Sequence, residues 1–261
     1  MNMYFTRDQV ITTAKGIVVG KMKDAQREKE TEIIRLVLDN LGITPVYEIT
    51  GNAVLEGGDF IPAGERVFIG QGLRTNAEAI EQMLANDVFG GGVREVVVVK
   101  EKWRNQQEMH LDTYFNVAAE KTAVLVEDRF PGNCESAGGG TVGDNKCLNV
   151  DVWERTSSCG GGTVVGNYCL TAENTDKEFV QLLGEVNFEN IIPVSVADQI
   201  AYGINFLTVK ENKIIGVEGV SPDYKTALGN VGVTAEWIDF DNMKLGYGAA
   251  HCTTQVLSRT P

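Results

Sequence analysis

Hydrophobic residues recur along the chain in an order that predicts strand, strand, helix and strand, four times over. In the first segment, β-branched runs at 10–13 and 17–19 predict two strands, and a helix follows over about 24–41, ending at Gly42. A short strand over 45–49 closes the segment. The apolar positions of the helix are Ile33, Ile34, Leu36, Val37 and Leu41. Four such segments of roughly 40–50 residues predict a repeat of small mixed sheets around an axis.

The other three segments follow the same order. Glu78 after Thr75, and Glu178 after Thr175, form two capping boxes that predict helix starts, and Ser221–Pro222 predicts a third start. The remaining predicted strands are 67–69, 96–99, 123–126, 191–192, 206–209, 213–217 and 233–238. The pattern therefore predicts an α/β protein in which 1–261 form a single domain.

A glycine-rich insertion over 128–173 interrupts the third segment. Within it, residues 138–148 read GGGTVGDNKCL and residues 160–170 read GGGTVVGNYCL, which is a short tandem duplication. Glycine-rich repeats of this kind favour an extra surface hairpin or loop. A lid over an active site is the sharper alternative.

The charge balance limits the classes of partner. The formal net charge is −13, from 36 acidic and 23 basic residues, which disfavours nucleic acid or an anionic membrane as partner. No apolar run reaches the roughly 20 residues of a membrane span, and the polar start of the chain predicts no signal peptide. These features predict a cytoplasmic protein whose five cysteines are reduced, with spacings unlike a zinc site.

Both histidines of the chain lie beside residues with chemical potential. His110 is two residues before Asp112, and on a strand the two side chains would share a face. His251 directly precedes Cys252, after a Gly-Ala-Ala run at 248–250 that predicts tight backbone packing around the thiol. The pattern points to thiol chemistry with an acid/base partner.

Several carboxylates accompany these residues. Glu56 and Asp59 are separated by two glycines, which allow backbone or ligand to approach closely, and Asp8 lies near the start of the chain. Like charges are costly in a dry pocket, so a site with several inward carboxylates requires a positive ligand. A planar guanidinium matches carboxylates with paired hydrogen bonds.

Taken in order, these motifs resemble the arginine deiminase branch of the guanidine-modifying, or pentein, superfamily. The matching strings are NMYFTRD at 2–8, Arg27 with Glu28 and Glu30, LEGGDF at 55–60, IGQGLRT at 69–75, MHLDTYF at 109–115 and GAAHCTTQ at 248–255. The resemblance implies a pentein-type α/β propeller of repeated ββαβ units. Since that fold closes a ring of five units and four are counted here, the first unit is expected to be missing.

The resemblance also implies roles for individual residues. Cys252 would be the nucleophile, Asp8 and Asp112 would clamp guanidinium nitrogens, and His110 and Glu56 would move protons. The implied substrate-binding residues are Asn2, Arg27, Asp59 and Arg74, with Asp59 orienting its neighbours. No metal or organic cofactor is implied.

Two positions depart from the family pattern. Arginine deiminases usually carry arginine five residues before the nucleophile, where this chain has Tyr247, and often another just before it, where this chain has His251. The His-Cys pair occurs instead in the agmatine deiminase and amidinotransferase branches. Carboxylate recognition would then rest on Asn2, Arg27 and Arg74.

The leading hypothesis is hydrolysis of free L-arginine to citrulline and ammonia. Enzymatic alternatives are an arginine dihydrolase that continues to ornithine, an amidinotransferase, and an agmatine deiminase. A hypothesis of another class is an inactive fragment or arginine-binding module. An open ring would expose sheet edges, which favours association into a homo-oligomer.

Overall fold

The computed structural model describes residues 2–135, 146–186 and 188–259. Its strands are β1 Val10–Thr13, β2 Gly16–Val19, β3 Tyr47–Glu48, β4 Phe60–Ala63, β5 Arg66–Gln71, β6 Glu95–Lys100, β7 Phe115–Ala119, β8 Thr122–Val126, β9 Asn149–Arg155, β10 Thr163–Val165, β11 Tyr168–Leu170, β12 Lys177–Glu178, β13 Asn190–Val194, β14 Leu207–Lys210, β15 Lys213–Val217 and β16 Thr234–Ile238. Its helices are α1 Glu28–Asn40, α2 Ala77–Ala85, α3 Phe179–Glu185, α4 Val196–Ile200, α5 Pro222–Asn230 and α6 Asp241–Lys244.

Four sheets share one local topology. In each, two strands pair antiparallel and a third, reached through a helix, pairs parallel with the second: β1-β2-β3, β4-β5-β6, β7-β8-β13 and β14-β15-β16. Three strands of the insertion and β12 extend the second sheet to seven strands, because β9 pairs with β6 and also carries β11, then β10, and β12. The α/β class with mixed sheets is confirmed. Strand pairing closes no barrel within the described residues, and the five-unit propeller stays a prediction.

The helix starts differ from two of the three predictions. Asn76, not Thr75, caps α2 by accepting a hydrogen bond from the Ala79 backbone, and Glu178 itself caps α3. The predicted start at Ser221 is confirmed, since its hydroxyl accepts from the Tyr224 backbone at the start of α5. The Thr75 hydroxyl is engaged by a tertiary contact, described below. None of the helices in the described ranges is long and apolar enough to cross a bilayer.

The side of α1 that packs against the rest of the protein includes buried polar residues. Glu30 is fully buried and Leu38 is 1% exposed, whereas Leu36, Val37 and Leu41 are exposed. The apolar spacing indicated the helix but not its orientation. The face that carries Glu30 is turned toward the interior, where Glu30 forms an ion pair with Arg27.

Two large hydrophobic clusters support the sheets. The larger one contains Phe68, Phe115 and Phe179, whose ring centroids lie 5.0 to 6.1 Å apart. Edge-to-face and tilted contacts at such distances add to the burial of apolar area. Leu111 and Tyr114 belong to the same cluster, so the core anchors the segment that carries His110 and Asp112.

The expectation that all cysteines are reduced is wrong for this structure. Cys134 is bonded to Cys147 and Cys159 to Cys169, with Cα–Cα distances of 4.8 and 5.7 Å that suit disulfides. All five cysteines fall in the described part of the chain, and Cys252 alone among them is free. The expectation came from the presumed compartment, which carries no information about which cysteines the fold brings together. The cytoplasmic location stays a prediction.

The insertion forms one hairpin that the structure describes. The second glycine-rich copy contains β10 and β11, joined through Gly166 and Asn167. Most of the first copy, including 138–145, lies outside the described residues. The lid hypothesis stays a prediction.

Candidate active site

Cys252 lies on a tightly packed segment that follows α6. Ala249 and Ala250 are buried against Val217. A Cβ on Gly248 would come within 2.4 Å of the Phe5 ring, so this position excludes any larger residue. These contacts confirm the predicted close packing around the thiol, which is itself 3% exposed.

Two side chains contact the Cys252 thiol. Asp112 Oδ2 lies 3.7 Å from Sγ, and Asn205 Nδ2 lies 3.2 Å from it. Burial, followed by the charges of Asp112 and Asp8, raises the pKa of Cys252 well above its ordinary value. The thiol is therefore protonated at neutral pH until positive charge is placed near it.

His251 is paired with the same carboxylate. Its Nδ1 lies 2.7 Å from Asp112 Oδ2. Burial, and then the nearby Arg7 guanidinium, lower the pKa of His251 to about 4. Burial would raise the pKa of Asp112, but the hydrogen bond from His251 and the nearby charges of His110 and Arg7 outweigh it and lower that pKa. His251 is thus a neutral imidazole whose Nδ1–H donates to an ionised Asp112.

His110 is charged and points to a different pair of carboxylates. Its Nε2 lies 2.9 Å from Glu56 Oε2, and its Nδ1 lies 3.8 Å from Asp8 Oδ1. Burial lowers the pKa of His110, but these carboxylates outweigh burial and raise it to about 10. The same contact lowers the pKa of Glu56 against the effect of burial, whereas burial raises the pKa of Asp8 despite His110 and Arg27.

The strand expected at His110 and Asp112 is not formed. His110 is extended, but Leu111–Thr113 form one turn of 3₁₀ helix. The turn separates the directions of the two side chains, so His110 meets Glu56 and Asp112 meets His251. The segment places two carboxylate–histidine pairs next to each other, where a strand would have put both residues on one face.

Within the described residues, the two glycines of the Glu-Gly-Gly-Asp motif pack against other parts of the protein and do not border an open pocket. A Cβ on Gly58 would lie 2.7 Å from the His110 ring, so glycine is needed for the histidine to approach. Asp59 Oδ1 accepts the Leu111 N–H at 2.9 Å, and its Oδ2 accepts the Thr75 hydroxyl at 2.6 Å. Burial raises the pKa of Asp59 to about 7. Asp59 therefore holds the His110 segment in place and has both oxygens occupied.

Arg27 lies on the carboxylates of the site. Its Nη1 is 2.9 Å from Asp8 Oδ2 and 3.4 Å from Glu56 Oε2, and its Nε and Nη2 donate to Glu30. Burial lowers the pKa of Arg27, but Asp8, Glu30 and Glu56 outweigh it and raise that pKa. The chain's own guanidinium thus occupies Asp8, one of the two carboxylates that a guanidinium ligand is expected to use, and leaves Asp112 free of it.

The other implied binding residues lie around this network. Arg74 Nη1 is 2.6 Å from Asp24 Oδ2 and 3.5 Å from Glu56 Oε1, and its Nη2 donates to Gln106. The backbone N–H of Asn2 donates to Glu30, while its side-chain oxygen accepts from the Tyr4 backbone. The structure brings Arg74 to the site and leaves the Asn2 amide group at its edge.

Three residues of the site were not predicted from the sequence. Glu30 binds Arg27, Arg7 Nε donates to the His251 carbonyl at 3.1 Å, and Asn205 contacts the thiol. Glu30 and Arg7 stood inside the motif strings, so their charge was a usable signal. Asn205 stands alone between Ile204 and Phe206, with no motif around it.

A cavity lies next to this cluster. It has a volume of about 300 Å³ and reaches Thr113, Tyr202 and Asn205 on the side of the thiol. Lys146 and Tyr247 line it as well. Tyr247, the position where the family usually has arginine, therefore lines a cavity that also reaches Asn205, a contact of the Cys252 thiol.

Solved structures share this fold. The N-terminal domain of ArgZ, an arginine dihydrolase from cyanobacteria, was solved bound to its substrate. It superimposes with a TM-score of 0.68 at 17% identity, and the match covers 99% of this chain and 76% of that one. At this identity the likeness establishes the α/β fold with mixed sheets alone.

The family is given by the sequence itself. The family model of arginine deiminase matches residues 1–259, and the chain belongs to that family. The arginine deiminase of Halobacterium salinarum is 26% identical over 345 residues, which cover 100% of this chain and 65% of the relative. That of Metamycoplasma hominis is 26% identical over 270 residues, covering 99% and 61%. The chain thus spans less than two thirds of these relatives, and the resemblance identified from the motifs is confirmed.

Proposed function

We propose that this chain hydrolyses the guanidinium group of free L-arginine through a covalent intermediate on Cys252, releasing citrulline and ammonia. The observation that carries the proposal concerns two buried carboxylates whose charges act on the Cys252 thiol. Asp8 Oδ1 and Asp112 Oδ1 are buried and have no hydrogen-bond partner in the described part of the chain. Buried polar atoms are nearly always paired, so two such acceptors are suited to the N–H groups of a planar cation.

In the first step, the bound guanidinium supplies the positive charge that the thiol lacks. It offsets the carboxylates that hold the pKa of Cys252 high, and the thiol releases its proton to solvent to form the thiolate. Sγ attacks the guanidinium carbon and a C–S bond forms. The C–N bond to the terminal nitrogen then breaks as His110, protonated at neutral pH, donates its proton to the departing ammonia.

In the second step, water replaces the thiol. His110, now neutral, accepts a proton from water as the oxygen attacks the thiouronium carbon. The C–S bond breaks and the electron pair returns to sulfur, which takes up the proton of the new C–OH group as the ureido product leaves. Glu56, hydrogen-bonded to His110, keeps the imidazole oriented in both proton transfers. The sum is arginine plus water giving citrulline and ammonium.

A second candidate is an arginine dihydrolase. The similarity in fold to ArgZ favours it, because the same first half-reaction would continue through a second hydrolysis to ornithine. The identity of the product separates the two candidates.

The test is to incubate the purified chain with arginine and to identify ammonia, citrulline and ornithine by mass spectrometry. We expect citrulline from the wild type and none from Cys252→Ser, since serine at this position keeps the shape but not the nucleophile. Thr253→Ser, an adjacent change that keeps the hydroxyl bonded to the Ala250 carbonyl, is the matched control and should retain activity.

Full activity of Cys252→Ser would contradict the proposed mechanism. Ornithine as the main product would replace the first candidate with the second. A wild-type protein that binds arginine without turnover would favour the binding-module hypothesis.

A further inference from the structure

Asn205 contacts residues 248–252, the segment that carries Cys252 and is called the nucleophile segment below. It stands between α4 and β14, and it is fully buried. Its carboxamide bonds to four groups: Oδ1 faces the Ala249 and Cys252 N–H groups at 3.2 and 3.3 Å, and Nδ2 faces Cys252 Sγ and the Asp112 carbonyl at 3.2 and 3.3 Å.

The direction of the amide follows from its partners. The backbone N–H groups of Ala249 and Cys252 can only donate, so the atom that faces both must be the oxygen. Nδ2 must then face Sγ and the Asp112 carbonyl, and the latter can only accept. The hydrogen-bond partners therefore determine that an N–H group of Asn205 donates to the sulfur.

The surroundings of the sulfur explain why a donor is needed there. The charged and titratable groups around it are Asp112, Asp8, Arg7 and Tyr202. Asp112 Oδ2 is 3.7 Å from Sγ, so a thiolate would meet a carboxylate at close range. A hydrogen bond to a charged acceptor is worth more than one to a neutral acceptor, and Nδ2 gains this difference only when the sulfur is ionised.

We propose that Asn205 is a thiol-positioning residue: its Oδ1 fixes the backbone of the nucleophile segment, and its Nδ2–H stabilises the Cys252 thiolate and holds Sγ in line with Asp112. The effect on turnover rests on the proposed function. The effect on the thiol does not, and it can be measured without any substrate.

The test compares Asn205→Asp with Asn116→Asp. The first keeps an oxygen for the two backbone N–H groups but replaces the donor on sulfur with a carboxylate oxygen. The second makes the same change at another buried asparagine. Asn116 Nδ2 donates to the carbonyls of Ile204 and Phe206, on either side of Asn205, and does not contact the thiol.

The readout is the pH dependence of alkylation by iodoacetamide under non-reducing conditions, where the other four cysteines are in disulfides. Cys252→Ser provides the blank. We expect the pH midpoint of alkylation to rise by about 1 to 2 units in Asn205→Asp, so that the rate at neutral pH falls roughly 10- to 100-fold. Asn116→Asp should lower the unfolding temperature and leave the midpoint at the wild-type value.

An unchanged midpoint in Asn205→Asp, or an equal rise in Asn116→Asp, would overturn the proposal. If Asn205→Asp does not fold, Asn205→Ala decides by the same comparison. Where the wild type turns over arginine, kcat should fall in Asn205→Asp with little change in KM. A shifted midpoint in a chain that does not turn over arginine would sustain the role of Asn205 and count only against the proposed reaction.

Discussion

Removing the Arg27 guanidinium tests whether the carboxylates of the site are built to hold such a cation. In the structure Arg27 bridges Asp8, Glu30 and Glu56. Arg27→Ala leaves these three buried carboxylates without that positive partner. Because the side chain of Glu30 is fully buried and that of Asp8 is 5% exposed, water cannot replace Arg27 effectively.

The expected loss is large for a single substitution. Breaking a buried ion pair by removing one partner costs about 3–5 kcal/mol, because the remaining charge stays buried. For a chain of this size, each kcal/mol lowers the unfolding temperature by about 2–4 °C, so the total change is roughly 6–20 °C. Some of this loss is recovered if a carboxyl group takes up a proton, and burial already raises the pKa of Asp8.

The matched control is Arg35→Ala in α1, the helix that Arg27 precedes. Arg35 pairs with Glu48 at 2.8 Å, but both side chains are more than a third exposed, at 38% and 43%. Such a pair contributes about 0–1 kcal/mol. Thermal unfolding followed by circular dichroism should therefore separate the two alanine variants clearly.

Guanidinium chloride at low concentration tests whether a free cation can replace the missing side chain in Arg27→Ala. A free guanidinium ion that binds the gap in Arg27→Ala with a Kd of about 1 mM would restore roughly 1.4 kcal/mol at about 10 mM, far below denaturing concentrations. Sodium chloride at equal ionic strength should not. The reasoning is refuted if Arg27→Ala is as stable as Arg35→Ala, or if the two salts act equally on it.

Two further predictions concern substrate choice and pH. Arg74→Ala should lower kcat/KM for arginine by roughly 10- to 100-fold, and much less for agmatine, which lacks the carboxylate. Equal losses on both substrates would show that Arg74 does not bind the carboxylate. The control is Arg94→Ala, which removes an exposed arginine. Folding lowers the pKa of His251 from 6.5 to about 4. Between these two pH values the unfolded state binds one proton that the folded state does not. The free energy of unfolding therefore falls by about 3 kcal/mol as the pH is lowered from 6.5 to 4. Urea unfolding at several pH values should show this loss of unfolding free energy at acid pH in the wild type and a smaller loss in His251→Gln. The same pH dependence in both proteins would contradict the prediction.

Patterns that depend on neighbours in sequence were predicted well. β15 matches its predicted bounds, 213–217, and the start of α5 at Ser221 is as expected, since alternation and capping are local properties. The start of α2 failed for a tertiary reason. The Thr75 hydroxyl, which could have capped the helix, donates to Asp59 instead, and Asn76 takes over the cap.

The candidate site was predicted in its parts and not in its connections. The motifs pointed to Cys252, His110 and Glu56, and the structure brings these residues to one buried region. Which histidine meets which carboxylate could not be predicted, because a 3₁₀ turn between residues 110 and 113 decides it. Asn205 was missed because a single asparagine between apolar residues has no local signature, and its role depends on contacts across 47 residues of sequence.

The two histidines have different charge states, and in the proposed reaction this difference gives them different roles. The carboxylates around His110 raise its pKa to about 10, so it holds a proton that can be donated to a leaving group. Burial beside Arg7 lowers the pKa of His251 to about 4, so it stays neutral and only orients Asp112 through Nδ1–H. Environments that push two similar groups apart in this way separate the proton donor from the positioning group. His251 adds no positive charge next to the thiol, and the charge that ionises Cys252 must come with the ligand.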